Sequence, residues 1–355
     1  MTRKNQRDAE LTNRARRAVN LKQLATHLNL SPTTLSWVLN DSPSATSIPQ
    51  QTKDRIHAAA REFNYRPNFL ARSFRAQKTH TLGVIVPELS DGYSAMVLSG
   101  VEEALIEAGY FYFLASHRHR ENLLDVYPQM FVDRRVEGII AVDTRAELPI
   151  DIPVVSVSGR NTCGSANILL NHDHAASIAL DHLIELGHSD IAFIKGQDFS
   201  SDTEVRWNAI CAAAHQRGIR IKNDLVSQLR GDIPSPELGF MATQEILARG
   251  ADFTAVFAFN DISAIGAIRA LEDAGCRVPE DVSVLGFDDV YAAAFHKPAL
   301  TTIRQPLFEM GRLAAETLLT VVKHDSIIST PKLLTVEPKL IIRDSTAKRS
   351  SSVSQ

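Results

Sequence analysis

From Thr81 onward, short runs of β-branched and apolar residues alternate with stretches of helical periodicity, and this alternation limits the fold more than any other feature. The runs are TLGVIVP, YFYFLAS, GIIAVD, IPVVSVS, DIAFIKG, FTAVFAFN and VSVLGF. The helical stretches between them close in Gly-containing turns such as EAGY, ELGHSD, HQRGI and EDAGC. Nearly continuous apolar strands separated by helices predict parallel sheets covered on both faces. The runs are too many for one compact sheet, so two doubly wound lobes are expected. The length of 355 residues agrees, because it exceeds what one hydrophobic core organises. No apolar run reaches the roughly 18 residues of a membrane span. The N-terminal MTRKNQRDAELTNRARRAVN has no apolar segment behind its charges, so it does not read as a secretory signal. Cys163, Cys211 and Cys276 are odd in number and far apart, which fits neither a disulfide framework nor a zinc site and points to a reducing cytoplasm.

The first 78 residues have a different texture. They carry 14 Lys and Arg against 5 Asp and Glu, a balance of +9, whereas the whole chain is at −3 and its remainder therefore at −12. A basic head on an acidic body is the footprint of a nucleic-acid contact confined to one end. Residues 1–18 read as a disordered basic arm. Then NLKQLATHLNL places Leu21, Leu24, Ala25 and Leu28 on one helical face with Asn20 as cap. After a tight break, Ser31-Pro32 opens a second helix, hydroxyl cap first and proline in the first turn. A third helix from about Pro49 brings Ile56, Ala59, Ala60 and Phe63 to the same small core, and Pro67 ends it. Two short helices joined by a tight turn form a helix-turn-helix, here spanning residues 19–66. The piece FLARSFRA, capped by Asn68, is too short and too basic to be a stable helix alone, so residues 67–79 read as a conditional hinge.

The segments LKQLATHLNLSPTTLSWVLN, NYRPNFLARSFRA, FNDISAIGAIRALEDAGCRVPEDVSVLGFDD and PALTTIRQPLFEMGRLAAE, in this order and spacing, resemble the lactose-repressor (LacI/GalR) family of bacterial transcription regulators. The likeness runs from about Asn20 to Arg343. It implies an all-α helix-turn-helix domain followed by an α/β core like that of periplasmic sugar-binding proteins. The core would span 80–343, with one lobe near 80–160 and 292–325 and another near 162–290 and 328–343. A polar tail, 344–355, would follow. The resemblance further implies a homodimer on a palindromic DNA operator, with a small sugar or sugar phosphate as effector and no cofactor or membrane partner. Tetrameric relatives carry a C-terminal leucine heptad that this tail lacks.

On the DNA side, the N-terminal part of the second helix would enter the major groove. Ser31, Pro32, Thr33, Thr34 and Ser36 occupy it, and hydroxyls there suit phosphate oxygens. Pro32 has no donor, so any direct reading at that position is apolar. Where the family commonly has an arginine that would grip guanine, this chain has Trp37. Leu35, Val38 and Leu39 already form the buried stripe, so Trp37 either edges the core or faces a thymine methyl or the sugar-phosphate wall. Asn40, Tyr65 and Asn68 complete the set by position. In the hinge, Phe74 stands where relatives insert a leucine into the minor groove, with Arg72 and Arg75 placed for phosphates. Phe74 could also serve as a contact between paired hinge helices.

On the sensing side, ligands of doubly wound sheets sit beyond the carboxyl ends of strands. The resemblance carries Arg206, Asn260 and Asp288 onto positions that hydrogen-bond sugar hydroxyls, a set of paired donors and acceptors. Asp261 is expected to cap the following helix, leaving Asn260 for the cleft. Tyr93 lies where relatives set an aromatic against the ligand, or packs in the core. Many relatives have an aspartate after the fourth strand; here Ser158 precedes Gly159 and Arg160, which favours an anionic effector. The pairs His117/His119 and His172/His174 would share a strand face, but no third ligand is near, so loop polarity or ligand hydrogen bonding is expected rather than metal. The alternative to a regulator is a sugar-binding protein or an enzyme on the same fold. The sequence offers that enzyme no phosphate-binding loop and no triad, so no catalysis is expected.

Overall fold

The computed structural model describes residues 19–40, 42–65, 78–89, 92–144, 151–158, 166–231, 235–324 and 332–349. The chain divides into two compact units at Thr79/His80. In the first unit, α1 spans Leu21–Leu28, α2 Pro32–Leu39 and α3 Gln50–Glu62, with a 3-10 turn at Pro43–Ser47. Asn20 and Gln23 cap α1 reciprocally, each side chain taking the other's backbone N–H at 2.9 and 3.0 Å. Asn29, at φ 54°, ends it in the left-handed region that asparagine tolerates. Leu24, Ala25, Leu35, Val38, Ile56, Ala59 and Ala60 form the small core, and Ala45 of the 3-10 turn joins them. The DSPSATSIP linker is thus partly structural.

The second unit holds two six-stranded sheets. In the first, β1 (Thr81–Val86), β2 (Phe111–Ser116), β3 (Ile139–Val142), β4 (Val154–Val157), β5 (Ala166–Leu170) and β11 (Lys332–Val336) stand in the order β11-β5-β4-β3-β1-β2, all parallel. The second contains β6 (Ile191–Lys195), β7 (Val226–Gln228), β8 (Ala255–Ala258), β9 (Ser283–Asp288), β10 (Thr301–Arg304) and β12 (Lys339–Ile341). Its order is β12-β10-β9-β8-β6-β7, with only β12 antiparallel. The helices are α4 (Tyr93–Ala108), α5 (Glu121–Asp133), α6 (His172–Glu185), α7 (Ser201–Gln216), α8 (Pro236–Ala248), α9 (Asp261–Asp273), α10 (Tyr291–Phe295) and α11 (Leu307–His324). They cover both faces of each sheet. Leu82, Val84 and Val86 of β1 enter the core shared with α4 and α11, while Ile85 turns to Phe131 of α5. That period of two is what a strand buried on both sides requires. Helices α4 and α11 cross at Gly100 and Gly311; a Cβ on either would lie 1.9 Å from a carbonyl oxygen of the other helix.

Three boundaries between the lobes differ from the sequence reading. Strands β5 and β11, expected in the second lobe, pair in the first sheet, and β10, expected in the first lobe, pairs in the second. The chain therefore crosses between lobes after β5, after β10 and after β11. Residues 344–349 are also not a free tail. Ser345 is fully buried, and its hydroxyl accepts from Thr301 N–H at 2.8 Å and donates to the Val284 carbonyl at 2.6 Å.

Candidate functional site

The candidate reading surface follows from how α2 is built. Ser31 caps it, its hydroxyl accepting the Thr34 N–H at 3.0 Å, and Leu35 and Val38 point into the core. The opposite face therefore presents Pro32, Thr33, Ser36 and Trp37. Trp37 is 39% exposed and stands with Leu21, Pro32, Asn20, Lys22, Thr33 and Ser36 around a shallow concavity. Asn40 turns back on its own helix, donating to the Ser36 carbonyl at 2.7 Å, and half-buried Tyr65 packs against the small core. Asn68, Arg72, Phe74 and Arg75 lie outside the described residues, as does the disordered-arm reading of residues 1–18.

In the second unit, strand ends of the first lobe meet the start of α7 in the second. Asp143, after β3, accepts the Ser201 N–H at 3.1 Å and the Ser200 hydroxyl at 3.3 Å. The Ser201 hydroxyl lies 2.5 Å from Asp143 Oδ1 and 2.9 Å from the Ser158 carbonyl, and its single proton serves one of them. The helix has no side-chain cap of its own. A carboxylate from the other lobe caps it instead, where the helix dipole favours negative charge. A second tie is the stack of His119 on Phe199, with ring centroids 3.8 Å apart.

One turn into α7, the buried Arg206 guanidinium is held between the rings of Phe259 and Phe287, at 4.3 and 3.7 Å. It donates to the Phe259 carbonyl and, at 3.4 Å, to Asp202, while its Nε has no hydrogen-bond partner. His172 Nε2 stands 3.8 Å from the other oxygen of Asp202. Asp288, at the end of β9 with φ 108°, accepts from Gln305 Nε2 at 2.6 Å, and Gln305 Oε1 is left unpaired. Burial pushes Asp288 up to about 8, against the pull of Arg206. Asp143 is likewise raised by burial and by the charge of Asp202; burial would also raise Asp202, but His172 and Arg206 outweigh it and hold it low. Tyr93 is buried at the start of α4, beside the Ser158 hydroxyl, and burial together with the fields of Asp202, Asp143 and Asp288 raises its phenol.

The structure thus gathers Tyr93, Ser158, Arg206, Asn260 and Asp288 around one set of strand ends, while Arg160 lies outside the described residues. The capping expectation is reversed. Asn260 Oδ1 caps α9 through the Ser263 N–H at 2.9 Å, so only its Nδ2 is free for a ligand. Asp261 is buried instead, accepting from Val290 N–H at 2.8 Å and from the Thr302 hydroxyl. Asp289 pairs with Arg304 and Arg343, both at 2.6 Å, leaving Asp288 as the cleft residue of the two. Neither histidine pair lies on a strand: His117 and His119 follow β2, and His172 opens α6 while His174 bonds Glu337 at 2.7 Å. Among the described residues no cluster of three or more His, Cys, Asp or Glu could hold a metal ion.

Residues 20–68 match the profile of bacterial regulatory proteins of the lacI family, and residues 180–346 that of a periplasmic binding protein-like domain. The HTH-type transcriptional repressor PurR of Actinobacillus pleuropneumoniae is 30% identical over 333 residues, covering 92% of this chain and 97% of its own. The chain belongs to the LacI family. As a LacI-family protein it is a DNA-binding transcriptional regulator. The fold agrees. The Lac repressor dimer bound to operator and the anti-inducer ONPF superposes with a TM-score of 0.81 at 23% identity, over 93% of this chain and 100% of that one. The CelR–cellobiose complex superposes with a TM-score of 0.68 at 26% identity, over 92% and 99%.

Within this LacI-family frame the sequence reading missed Asp143, Asp202, Ser201 and the two phenylalanines around Arg206. Asp143, from the neighbouring strand, reaches the same Ser201 hydroxyl as the Ser158 carbonyl. The strand end GIIAVD shows an aspartate directly after an apolar run, which is the available signal.

Proposed function

We propose that this regulator binds a palindromic operator as a homodimer and that a small, uncharged, hydroxyl-rich molecule of sugar type, lodged between the lobes, controls its affinity. The observation carrying this reading is that the Arg206 site and the joint between the lobes are one place: Asp143 bonds Ser201, and Asp202 and Arg206 follow on the same helix. A ligand on Arg206 therefore bears on the lobe angle. Typical allosteric coupling of about 1–3 kcal/mol would shift operator affinity roughly 5–150-fold. The reading places the protein in the cytoplasm with the DNA, gives Ser31, Pro32, Thr33, Thr34, Ser36 and Trp37 the base and phosphate contacts, and assigns the cleft no catalysis.

An uncharged effector replaces the anionic one favoured by the sequence, because the Arg206 guanidinium is already engaged by Asp202. A phosphate there would find too little cationic compensation. Dimerisation has support in β2, an edge strand whose Phe111 is 63% exposed, beside exposed Phe113 and Leu114 and Ile106 of α4. A long apolar edge invites a partner. The test is selection of palindromic duplexes by the full-length protein, followed by binding assays with and without sugars that raise its melting temperature. We expect an enriched palindrome whose affinity one such sugar shifts. No preference over random duplex would refute the reading.

A further inference from the structure

We infer that Trp37, with Leu21 and Pro32, forms a methyl-selective subsite, so that the base edge facing this part of α2 is thymine. The inference rests on the DNA-reading role proposed above and goes further by naming the base chemistry. The outer face of α2 lacks the groups that read purines. Guanine calls for arginine or lysine, and adenine for a side-chain amide; the lysine of the concavity, Lys22, stands on α1 and not on α2. Here the Asn20 amide oxygen is committed to the α1 cap and the Asn40 amide nitrogen to Ser36, so neither offers adenine a full donor–acceptor pair, and the Thr34 hydroxyl lies 2.8 Å from that of Ser31. Pro32 has no N–H. What remains around the concavity is Trp37, Leu21 and Pro32, with Lys22, Thr33 and Ser36 at its polar margin.

An indole and a pyrrolidine ring set against a major-groove edge exclude water from it. Guanine O6 and N7, or the cytosine amino group, would then lose hydrogen bonds without replacement, whereas the thymine methyl loses none. The excess of basic residues in the first 78 positions supplies the attraction to the phosphates, so the apolar patch has to supply only discrimination. The sugar-phosphate wall is a poorer partner for this surface, because a phosphate against three apolar side chains gains nothing.

The experiment starts from the palindrome enriched with the full-length protein. Each thymine is replaced singly by 2′-deoxyuridine, which removes only the 5-methyl group. We expect one or two adjoining positions in each half-site where wild-type affinity falls about fourfold, the worth of one buried methyl group. The Trp37→Ala protein, checked for native helix content by circular dichroism, should lose that sensitivity, and Trp37→Arg should shift the enriched base there to guanine. Indifference of the wild type to every deoxyuridine would overturn the inference while leaving the regulator reading intact. Equal sensitivity in Trp37→Ala would also overturn it. If selection enriches no sequence at all, the regulator reading falls first and this inference with it.

Discussion

Replacing Asp143 by alanine should loosen the start of α7 without unfolding either lobe. The substitution removes the acceptor of the Ser201 N–H, at 3.1 Å, and of two serine hydroxyls. Loss of a helix cap costs about 0.5–2 kcal/mol, and a buried donor left unsatisfied about 1–3 kcal/mol. Relief of the repulsion between Asp143 and Asp202 offsets part of this, leaving a net loss of about 1–2 kcal/mol. That corresponds to a roughly 5–30-fold rise in the open population of the first turn. Amide hydrogen exchange reads it directly, since local opening governs exchange there. The peptide covering residues 199–207 should exchange faster by that factor in Asp143→Ala, while one covering β8 should be unchanged. Asp143→Asn keeps an acceptor and sheds the like charge, so it should stay near wild type. Equal protection of residues 199–207 in Asp143→Ala and wild type would show that the cross-lobe cap contributes nothing.

Melting temperature should fall as pH rises from 7 to 8.5. In that window Asp288, raised to about 8, and Asp261, raised to about 7, keep protons that the unfolded chain has lost. Their stabilisation is complete at low pH and disappears as pH climbs through the folded values, with a slope of at most about 1.4 kcal/mol per pH unit per group. Asp288→Asn should flatten the curve; a flat wild-type curve in calorimetry would contradict the assignment. Gly100→Ala should cost about 1–3 kcal/mol by overpacking, because its Cβ would sit 1.9 Å from the Phe308 carbonyl oxygen. Chemical denaturation of the full-length protein measures it, and an unchanged midpoint would mean the helices can separate freely.

The parts legible in the sequence were those set by local physics. Asn20, Ser31 and Pro32 mark helix starts, and the unbroken burial of TLGVIV follows from a strand covered on both faces. Sheet membership was less accessible. Whether β11 joins one sheet or the other depends on pairing between residues more than a hundred positions apart, as for Ala166 with Lys332. Asn260 and Asp261 were exchanged because either side chain can cap a helix, and only the position of Thr302 and Val290 shows that Asp261 is needed elsewhere. The polar composition of residues 344–349 concealed a segment whose backbone and Ser345 hydroxyl complete the second lobe.

The carboxylate of Asp143, directly after β3, is placed to hold the joint between the lobes. After β4 in this chain stands Ser158, whose carbonyl faces the same Ser201 hydroxyl that Asp143 engages. Asp143 is therefore spent on the protein's own lobe joint, and the closed arrangement rests there on protein groups. An effector hydroxyl that captures Asp143 must break the cap on α7 and so favours separated lobes. One that reaches only Arg206 Nε, Gln305 Oε1 and His172 Nδ1, which are buried and unpaired, adds to the closed arrangement without competing with it. The sign of the DNA response then depends on which of these two groups of atoms the effector touches. Comparing effector response in wild type and Asp143→Asn separates the two cases: only the capturing effector loses its ionic acceptor in the variant.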